Sequence, residues 1–431
     1  MKFKPMTKIE KISKNIIPFA GVFFVNKEFN RSGLRKLIDD QLGPRVSTKD
    51  YSYSNLIGNF FNLFLCGGEC TEDIHQNFRP TLEQIPDNEV ASADTHLRLF
   101  GELATENNTV VSSENNEYQF NINEKLNDLN IKSLILTNQL EKNKFYDFDY
   151  DNQIIEHEKY DAKKTYKMNT GYFPGVASIG ANIVNIENRD GNASVKIAQA
   201  ETLERSYKAL NNNNIFINRS RMDAGSYSEA IVKVVDQYSN LFYIRANKCE
   251  SLTEKIKQIT DWQTVEINYR EYHVASIPFT NFLKEKNYRL VIMLEKNRDP
   301  QLDLFEGEEI KYRCILTNDH QSTEKEVIEY YNQRGASEKL FDIQNNDFGW
   351  NHLPTSKMNA NTVYLIITAM LKNFYLYIIK KVAKIFTDLL PTSRLKRFIF
   401  RFIAVSGRYV YRGRQWVLQL YTNRPYEKVF V

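Results

Sequence analysis

Two spacings of apolar residues divide the chain. Up to about residue 140 the apolar positions recur at helical intervals. SNLIGNFFNLFLCGG predicts an apolar helix stopped by a glycine pair. SADTHLRLFGELATEN predicts an amphipathic helix capped by Asp94 or Thr95. TVVSSENNEYQFNINEKLNDLNIKSLI predicts a polar loop and a further helix. From Asn143 the period falls to two, and NKFYDFDYDNQII predicts a strand. KTYKMNT and ASIGANIVNIENRD with its surroundings predict two more, with turns at Thr170–Gly171 and Asp190–Gly191. A helix over KIAQAETLERSYKALNN, a fourth strand over NIFINRSRMD, a second helix over SYSEAIVKVVDQYSN and a fifth strand over LFYIRAN follow. Residues 251–322 add strand-like runs (TVEINYR, YRLVIMLEK, IKYRCILTN). A helix from Thr323 to about Asn345 and a buried helix over 362–386 come next.

The order β-β-β-α-β-α-β matches an α/β, ribonuclease-H-like core, provided that 251–322 is a β-rich insertion before the last helices. The expected organisation is a helical, DNA-binding or merely accessory domain over 1–140 and the first part of the core over 141–250. The insertion over 251–322, the last core helices over 323–386 and a basic C-terminal region over 387–431 complete it. A chain of 431 residues with 42% apolar and 26% charged residues is globular, with ample material for a core. Its net charge is only +4, but residues 371–431 hold thirteen Lys and Arg against two acids, Asp388 and Glu427. The remainder is therefore net acidic, and the asymmetry points to a polyanion partner for the C-terminal region.

Four cysteines make no disulfide scaffold. Cys249 and Cys314 lie in strand-like runs and are expected to be buried; Cys66, Cys70 and His75 fit no standard zinc spacing. MKFKPMTKIEKISKN lacks the apolar centre of a signal peptide. The apolar stretch Val363–Ile379 is broken by Lys372 and Asn373, so a buried helix and no membrane span is expected. The expected compartment is the cytoplasm.

Three short motifs carry candidate chemistry. In FYDFDYDN, Asp147, Asp149 and Asp151 share one strand face, with Tyr146, Phe148 and Tyr150 on the other. Such a row either lies on a solvated edge or needs cations to neutralise it. Asp223, in INRSRMDAGSYSEA, ends a strand just before a helix, where functional residues and ordinary N-caps both occur. Tyr331, Arg334 and Glu338 are spaced to share one helical face, either as a phosphate-and-metal face or as a surface Arg–Glu pair. Together the carboxylates form an oxygen-rich set suited to Mg²⁺ or Mn²⁺ and to in-line phosphoryl transfer.

DFDYDNQ, RSRMDAGSY and YYNQRGASE resemble the DDE transposases of bacterial insertion sequences, in the branch with a β-rich insertion and a Y-x2-R-x3-E signature. EVASADTHLRLFGELA resembles the helical stretch preceding the core in one subgroup. The resemblance covers about residues 50–380. It implies Asp223 and Glu338 as the second and third catalytic, metal-binding carboxylates, and Asp151 or Asp149 as the first. The family's D-x-T would align Asp151 with Gln153, and Asn345 stands where a basic residue is frequent. Tyr331 and Arg334 match residues that contact the element-end phosphate; Trp262 matches an aromatic that holds a displaced base, or is a core residue. The implied activity is Mg²⁺-dependent cut-and-paste transposition through a hairpin intermediate. The implied partners are the terminal inverted repeats and target DNA, bound by a synaptic homodimer at the bacterial nucleoid. A non-catalytic DNA-binding descendant and a ribonuclease-H-like nuclease are the alternatives. Arg394, Lys396 and Arg397 open a tract, SRLKRFIFRFIAVSGRYVYRGRQWVLQLY, that interleaves cations with aromatics and is expected to bind the DNA backbone.

Overall fold

The computed structural model describes residues 16–45, 51–86, 88–283, 285–294 and 312–429; the basic N-terminal segment 1–15 and residues 295–311 lie outside the described residues. The chain forms two compact units, Met1–His96 with Ile378–Val431, and Leu97–Tyr377. The first boundary therefore falls after residue 96, not after 140. The reason is that the stretch expected to be a polar loop pairs into a sheet.

In the first unit, α1 (Val22–Arg31), α2 (Leu34–Leu42) and α3 (Tyr53–Leu65) are followed by the short α4 (Thr71–Asp73) and α5 (Arg79–Leu82). The Ser52 hydroxyl caps α3 by accepting from the Asn55 amide, and Gly67, at φ 81°, lies just beyond its end, as the glycine pair predicts. Cys66 is buried, which pushes its thiol pKa up, while Cys70 is exposed. Helix α6 (Ala93–Glu102) is capped by Ser92, whose hydroxyl accepts from the Thr95 amide at 3.3 Å, rather than by Asp94 or Thr95.

The second unit is built on one eleven-stranded sheet. The hairpin β1 (Asn107–Val111) and β2 (Glu117–Ile122), helix α7 (Glu124–Leu136) and strand β3 (Lys144–Asn152) come first. A small three-stranded sheet of β4 (Ile155–Glu156), β5 (Lys163–Lys164) and β6 (Thr170–Tyr172) follows. Next are β7 (Gly175–Ile179), β8 (Asn182–Arg189), α8 (Gln199–Asn212), β9 (Ile215–Met222), α9 (Glu229–Tyr238) and β10 (Ser239–Arg245). Helix α10 (Glu250–Lys257) leads to β11 (Gln263–Ile267), β12 (Arg270–Phe279), β13 (Tyr288–Leu294) and β14 (Tyr312–Thr317). The order across the large sheet is β1-β2-β8-β7-β3-β9-β10-β14-β13-β12-β11. Strands β3, β9 and β10 run parallel, and the other pairings are antiparallel.

Two expectations change here, a turn and the strands beside it: KTYKMNT runs between β5 and β6 of the small sheet, and ASIGANIVNIENRD holds both β7 and β8. Thr170–Gly171 is strand rather than turn; the turn that makes the second and third core strands is Gly180–Ala181, where Gly180 takes φ 57°. The β-rich stretch 251–322 continues the same sheet, because β14 pairs with β10 (Tyr243↔Thr317). Cys314 is buried in β14, but Cys249 precedes α10 and is exposed.

Helix α11 (Glu324–Asn332) and α12 (Ala336–Asp347) precede α13 (Met358–Val382), whose last residues count with the first unit. Helix α13 is long and apolar enough to cross a membrane but is almost wholly buried. Its two polar interruptions clamp the β7–β8 hairpin. The Lys372 ammonium donates to the Ala181 carbonyl. The Asn373 amide donates to the Ile183 carbonyl at 2.7 Å and accepts from the Ile183 amide at 3.1 Å.

The chain then returns to the first unit with α14 (Leu395–Phe398), a π-helical turn over Ile399–Ile403, and the hairpin β15 (Gly407–Arg412) and β16 (Gln415–Leu420). Ile17 pairs with Gly407, and Phe24, Phe386, Phe402 and Tyr426 share an aromatic core. Leu395, Phe398 and Phe402 are buried, while Lys396, Arg397 and Arg401 face solvent. This stretch therefore buries Phe398 and Phe402 and exposes its cations, while Phe400, Tyr411, Trp416 and Tyr421 of the same tract are exposed.

Candidate active site

The alternation in FYDFDYDN folds as its spacing dictates. Phe148 and Tyr150 are buried in the core, with Tyr146 packed against them. The aspartates occupy the other face, and the neighbouring parallel strand answers them. In register, Asp147 lies beside Arg219 and Asp149 beside Arg221. Asp147 accepts from Arg219 at 2.9 and 2.6 Å, and Asp149 from Arg221 at 2.7 and 2.8 Å. The cations that this row needs are thus supplied, for two of its three members, by an R-x-R in the adjacent strand.

One step further along both strands, Asp151 and Asp223 lie beyond the last paired residues, Tyr150 and Met222. The arginine pattern has run out, and two carboxylates end up together at the carboxyl ends of parallel strands. A third arginine serves both. One Arg334 nitrogen lies 2.9 Å from Asp151 and 4.0 Å from Asp223. Burial pushes the Asp151 pKa up to about 6, with Arg334 pulling it down and Asp223 adding to the rise. Asp223 is more open, its side chain 40% exposed. It also caps the 3₁₀ turn Ala224–Ser226 by accepting from the Gly225 amide at 3.0 Å. The N-cap role and the shared-cation role coexist.

Arg334 reaches this place because the expected single helix is broken. Between α11 and α12 the chain makes a 3₁₀ turn over Gln333–Gly335. The turn interrupts the single helix expected from Thr323 to about Asn345. Glu338 is exposed on the first turn of α12. Among the described residues no three His, Cys, Asp or Glu side chains are grouped to hold a metal. The structure brings Asp151, Asp223 and Arg334 together, with Asp149 alongside, while Glu338 is exposed on α12.

The remaining candidates have defined places. The Tyr331 hydroxyl donates to the Met222 carbonyl at 3.2 Å, and burial pushes its pKa up to about 12. Trp262 is half-buried against the core and donates its indole N–H to the Ile259 carbonyl at 2.9 Å. Arg397 donates to the Asp388 carbonyl at 2.8 Å, and Lys396 and Arg397 are exposed at α14, with Arg394 at its N-terminal end. Asn345 lies on α12. Sequence reasoning missed Arg219, Arg221 and Tyr330. Arg221 also donates to the Tyr330 carbonyl at 2.9 Å, and both guanidiniums stack on the Tyr330 ring, at 4.0 and 4.6 Å. The legible signal was R-x-R in one strand opposite D-x-D in another.

Fold and site together define a mixed α/β protein with an acidic site, balanced by arginine, at the carboxyl ends of two parallel strands. The profile of the family described as Transposase DDE domain group 1 matches residues 7–431. The chain belongs to that transposase family. A cryo-EM structure of the piggyBac transposase synaptic complex with hairpin DNA is similar at 13% identity, over 89% of this chain and 79% of that one, with a TM-score of 0.43. None of the curated proteins compared with the sequence matches it.

Proposed function

We propose that this transposase cleaves DNA at the ends of its own insertion sequence and joins the freed 3′ ends to target DNA, with Asp151, Asp223 and Glu338 as its catalytic carboxylates. The observation that carries the reading is the meeting of Asp151 and Asp223 at one guanidinium, one residue past the last paired positions of β3 and β9. The strand order β8-β7-β3-β9-β10, with the last three parallel, supports a ribonuclease-H-like core. Asp149 is the weaker candidate for first ligand, because Arg221 already neutralises it inside the protein.

The donor set fits a hard divalent cation: two carboxylates, one buried and disfavoured as a lone anion, converge on the same positive charge. Mg²⁺, or Mn²⁺ in its place, would be held by Asp151 and Asp223, with Glu338 brought in from α12. Bound there, it would activate the attacking water or 3′-hydroxyl and stabilise the leaving oxygen. Arg334, released from the aspartates, offers a planar fork to a DNA phosphate. Tyr331 holds α11 against the end of β9 through the Met222 carbonyl. A cut-and-paste route through a hairpin, and a synaptic homodimer that joins two ends, follow from the same resemblance.

The test is cleavage of a terminal-repeat duplex by full-length protein. Asp223→Ala and Glu338→Ala are expected to lose cleavage and strand transfer while keeping end binding. Ca²⁺ is expected to support binding without cutting. Cleavage by either variant within tenfold of wild type would remove that residue from the catalytic set.

A further inference from the structure

The C-terminal hairpin has a feature that the catalytic reading does not use. In GRYVYRGRQWVLQLY, β15 and β16 pair Tyr411 with Trp416 and Arg412 with Gln415. The two turn residues, Gly413 and Arg414, both take positive φ, 60° and 62°, as a type I′ turn requires. Alternation then sorts the faces. Tyr409, Tyr411, Trp416, Leu418 and Leu420 share one; Arg408, Val410, Arg412, Val417 and Gln419 share the other.

The base of the ribbon is anchored. Gly407 pairs with Ile17, and the Tyr409 ring meets Phe23 edge-on at 6.1 Å. The tip is not. Tyr411 and Trp416 are 60% and 56% exposed, their rings edge-on at 5.2 Å. Of the other two tryptophans, Trp350 is fully buried and donates to Thr368, and Trp262 packs on the core. Arg412 and Arg414, also exposed, lie at the same tip, Arg412 on the opposite face and Arg414 in the turn. Between Asp388 and Glu427 the sequence holds eight Lys and Arg and no acid. That charge decides the occupant. A second copy of this hairpin would bring like charges together, whereas a polyanion that carries aromatic faces answers both the cations and the rings.

We propose that the tip of the β15–β16 hairpin binds DNA with unpaired bases, Tyr411 and Trp416 stacking on the bases while Arg412 and Arg414 meet the flanking phosphates. The proposal rests on the DNA-acting reading above and adds a surface to it. Bases in an intact duplex offer no free face, so the aromatic pair acts on single-stranded or frayed DNA, whereas arginine contacts serve both forms.

The test uses full-length protein in chelator, so that neither metal nor cleavage enters. A short oligothymidine and a blunt duplex are titrated while tryptophan emission is followed. Oligothymidine is expected to quench wild-type emission, because Trp416 is the exposed tryptophan. Trp416→Leu is expected to lose that quench and to bind oligothymidine roughly 5- to 100-fold more weakly, with blunt-duplex affinity within twofold. Tyr411→Leu is expected to weaken oligothymidine binding in the same direction. Arg412→Gln with Arg414→Gln is expected to flatten the salt slope on both DNAs by between one and two units. Unchanged oligothymidine affinity in Trp416→Leu and Tyr411→Leu would overturn the proposal. So would equal weakening on duplex and single strand. A wild-type dimer that Trp416→Leu splits, with DNA affinity unaltered, would assign the face to a second copy instead. The carboxylate variants are read by cleavage, so either proposal can fail alone.

Discussion

Asp147, Asp149 and Asp151 each face a guanidinium built into a neighbouring element. The eight Lys and Arg between Asp388 and Glu427 have no carboxylate among them in sequence, and Asp388 serves Arg401 and Arg424 together. Both regions read as charge runs, yet they are put to different use. In the sheet, burial makes an unpaired charge costly, so acids and bases are matched strand against strand until the match fails at Asp151 and Asp223. In the C-terminal segment Lys396, Arg397, Arg412 and Arg414 are exposed to water, where an excess of positive charge costs little. What is distinctive in the sheet is the place where pairing stops, and in the C-terminal segment it is the excess charge itself.

The sharpest way to break this contrast is inside the aspartate row. Asp149 and Arg221 are about nine-tenths buried and doubly bonded. Asp149→Ala leaves that guanidinium buried and unpaired, and is expected to cost about 3–5 kcal/mol of unfolding free energy in urea titrations. Asp151→Ala removes a carboxylate that burial already disfavours as an anion, so its cost is expected to stay below about 1 kcal/mol while cleavage is lost. If Asp149→Ala proved stable yet inactive, and Asp151→Ala active, the two aspartates would exchange roles.

Lys372 is a fully buried cation whose pKa burial lowers to about 7 and whose ammonium donates to a backbone carbonyl. In the unfolded chain the same group titrates near 10.4. Between those values the unfolded state binds the extra proton, so stability rises with pH from about 7 to about 10 and levels off above. The expected gain is on the order of 3 kcal/mol across that window. Lys372→Met should flatten it, and denaturation midpoints at pH 7 and 9.5 are the measurement. A wild-type midpoint that did not move between those pH values would place the ammonium in contact with water.

How far all this could be read from the sequence differs by feature. The succession α8-β9-α9-β10, the buried helix α13 and the inward Phe148 and Tyr150 follow from local periodicity, which one segment can reveal by itself, whereas the β7–β8 hairpin was read as one strand. The β1–β2 hairpin was not legible, because NNTVV is short and almost wholly exposed and its strand character comes from pairing with β2, which in turn pairs with β8. The turn at Gly180 was hidden by the stronger-looking signal at Thr170–Gly171. At the site, the residue types Asp151, Asp223 and Arg334 were legible, but their meeting was not. That meeting depends on the parallel register of β3 with β9, a pairing of strands distant in sequence, and Arg334 comes to it from a 3₁₀ turn at Gln333–Gly335.

The smallest effect belongs to the other side of the contrast. Lys396 and Arg397 are exposed on α14, Arg394 lies at its start, and the apolar residues of the same turn, Leu395 and Phe398, are buried. Replacing Arg394, Lys396 and Arg397 together with Gln removes charge from the surface and leaves that packing in place. Stability is expected to change little, since exposed cations contribute within about 1 kcal/mol. DNA affinity is expected to fall alike for terminal-repeat and unrelated duplex, because phosphate contacts carry no sequence information. The plot of log affinity against log salt is expected to flatten by roughly two to three units, about 0.9 for each phosphate that is no longer neutralised. A loss confined to the terminal repeat would show that these side chains read bases. An unaltered slope would take α14 out of the DNA-binding surface and leave the excess charge to the hairpin alone.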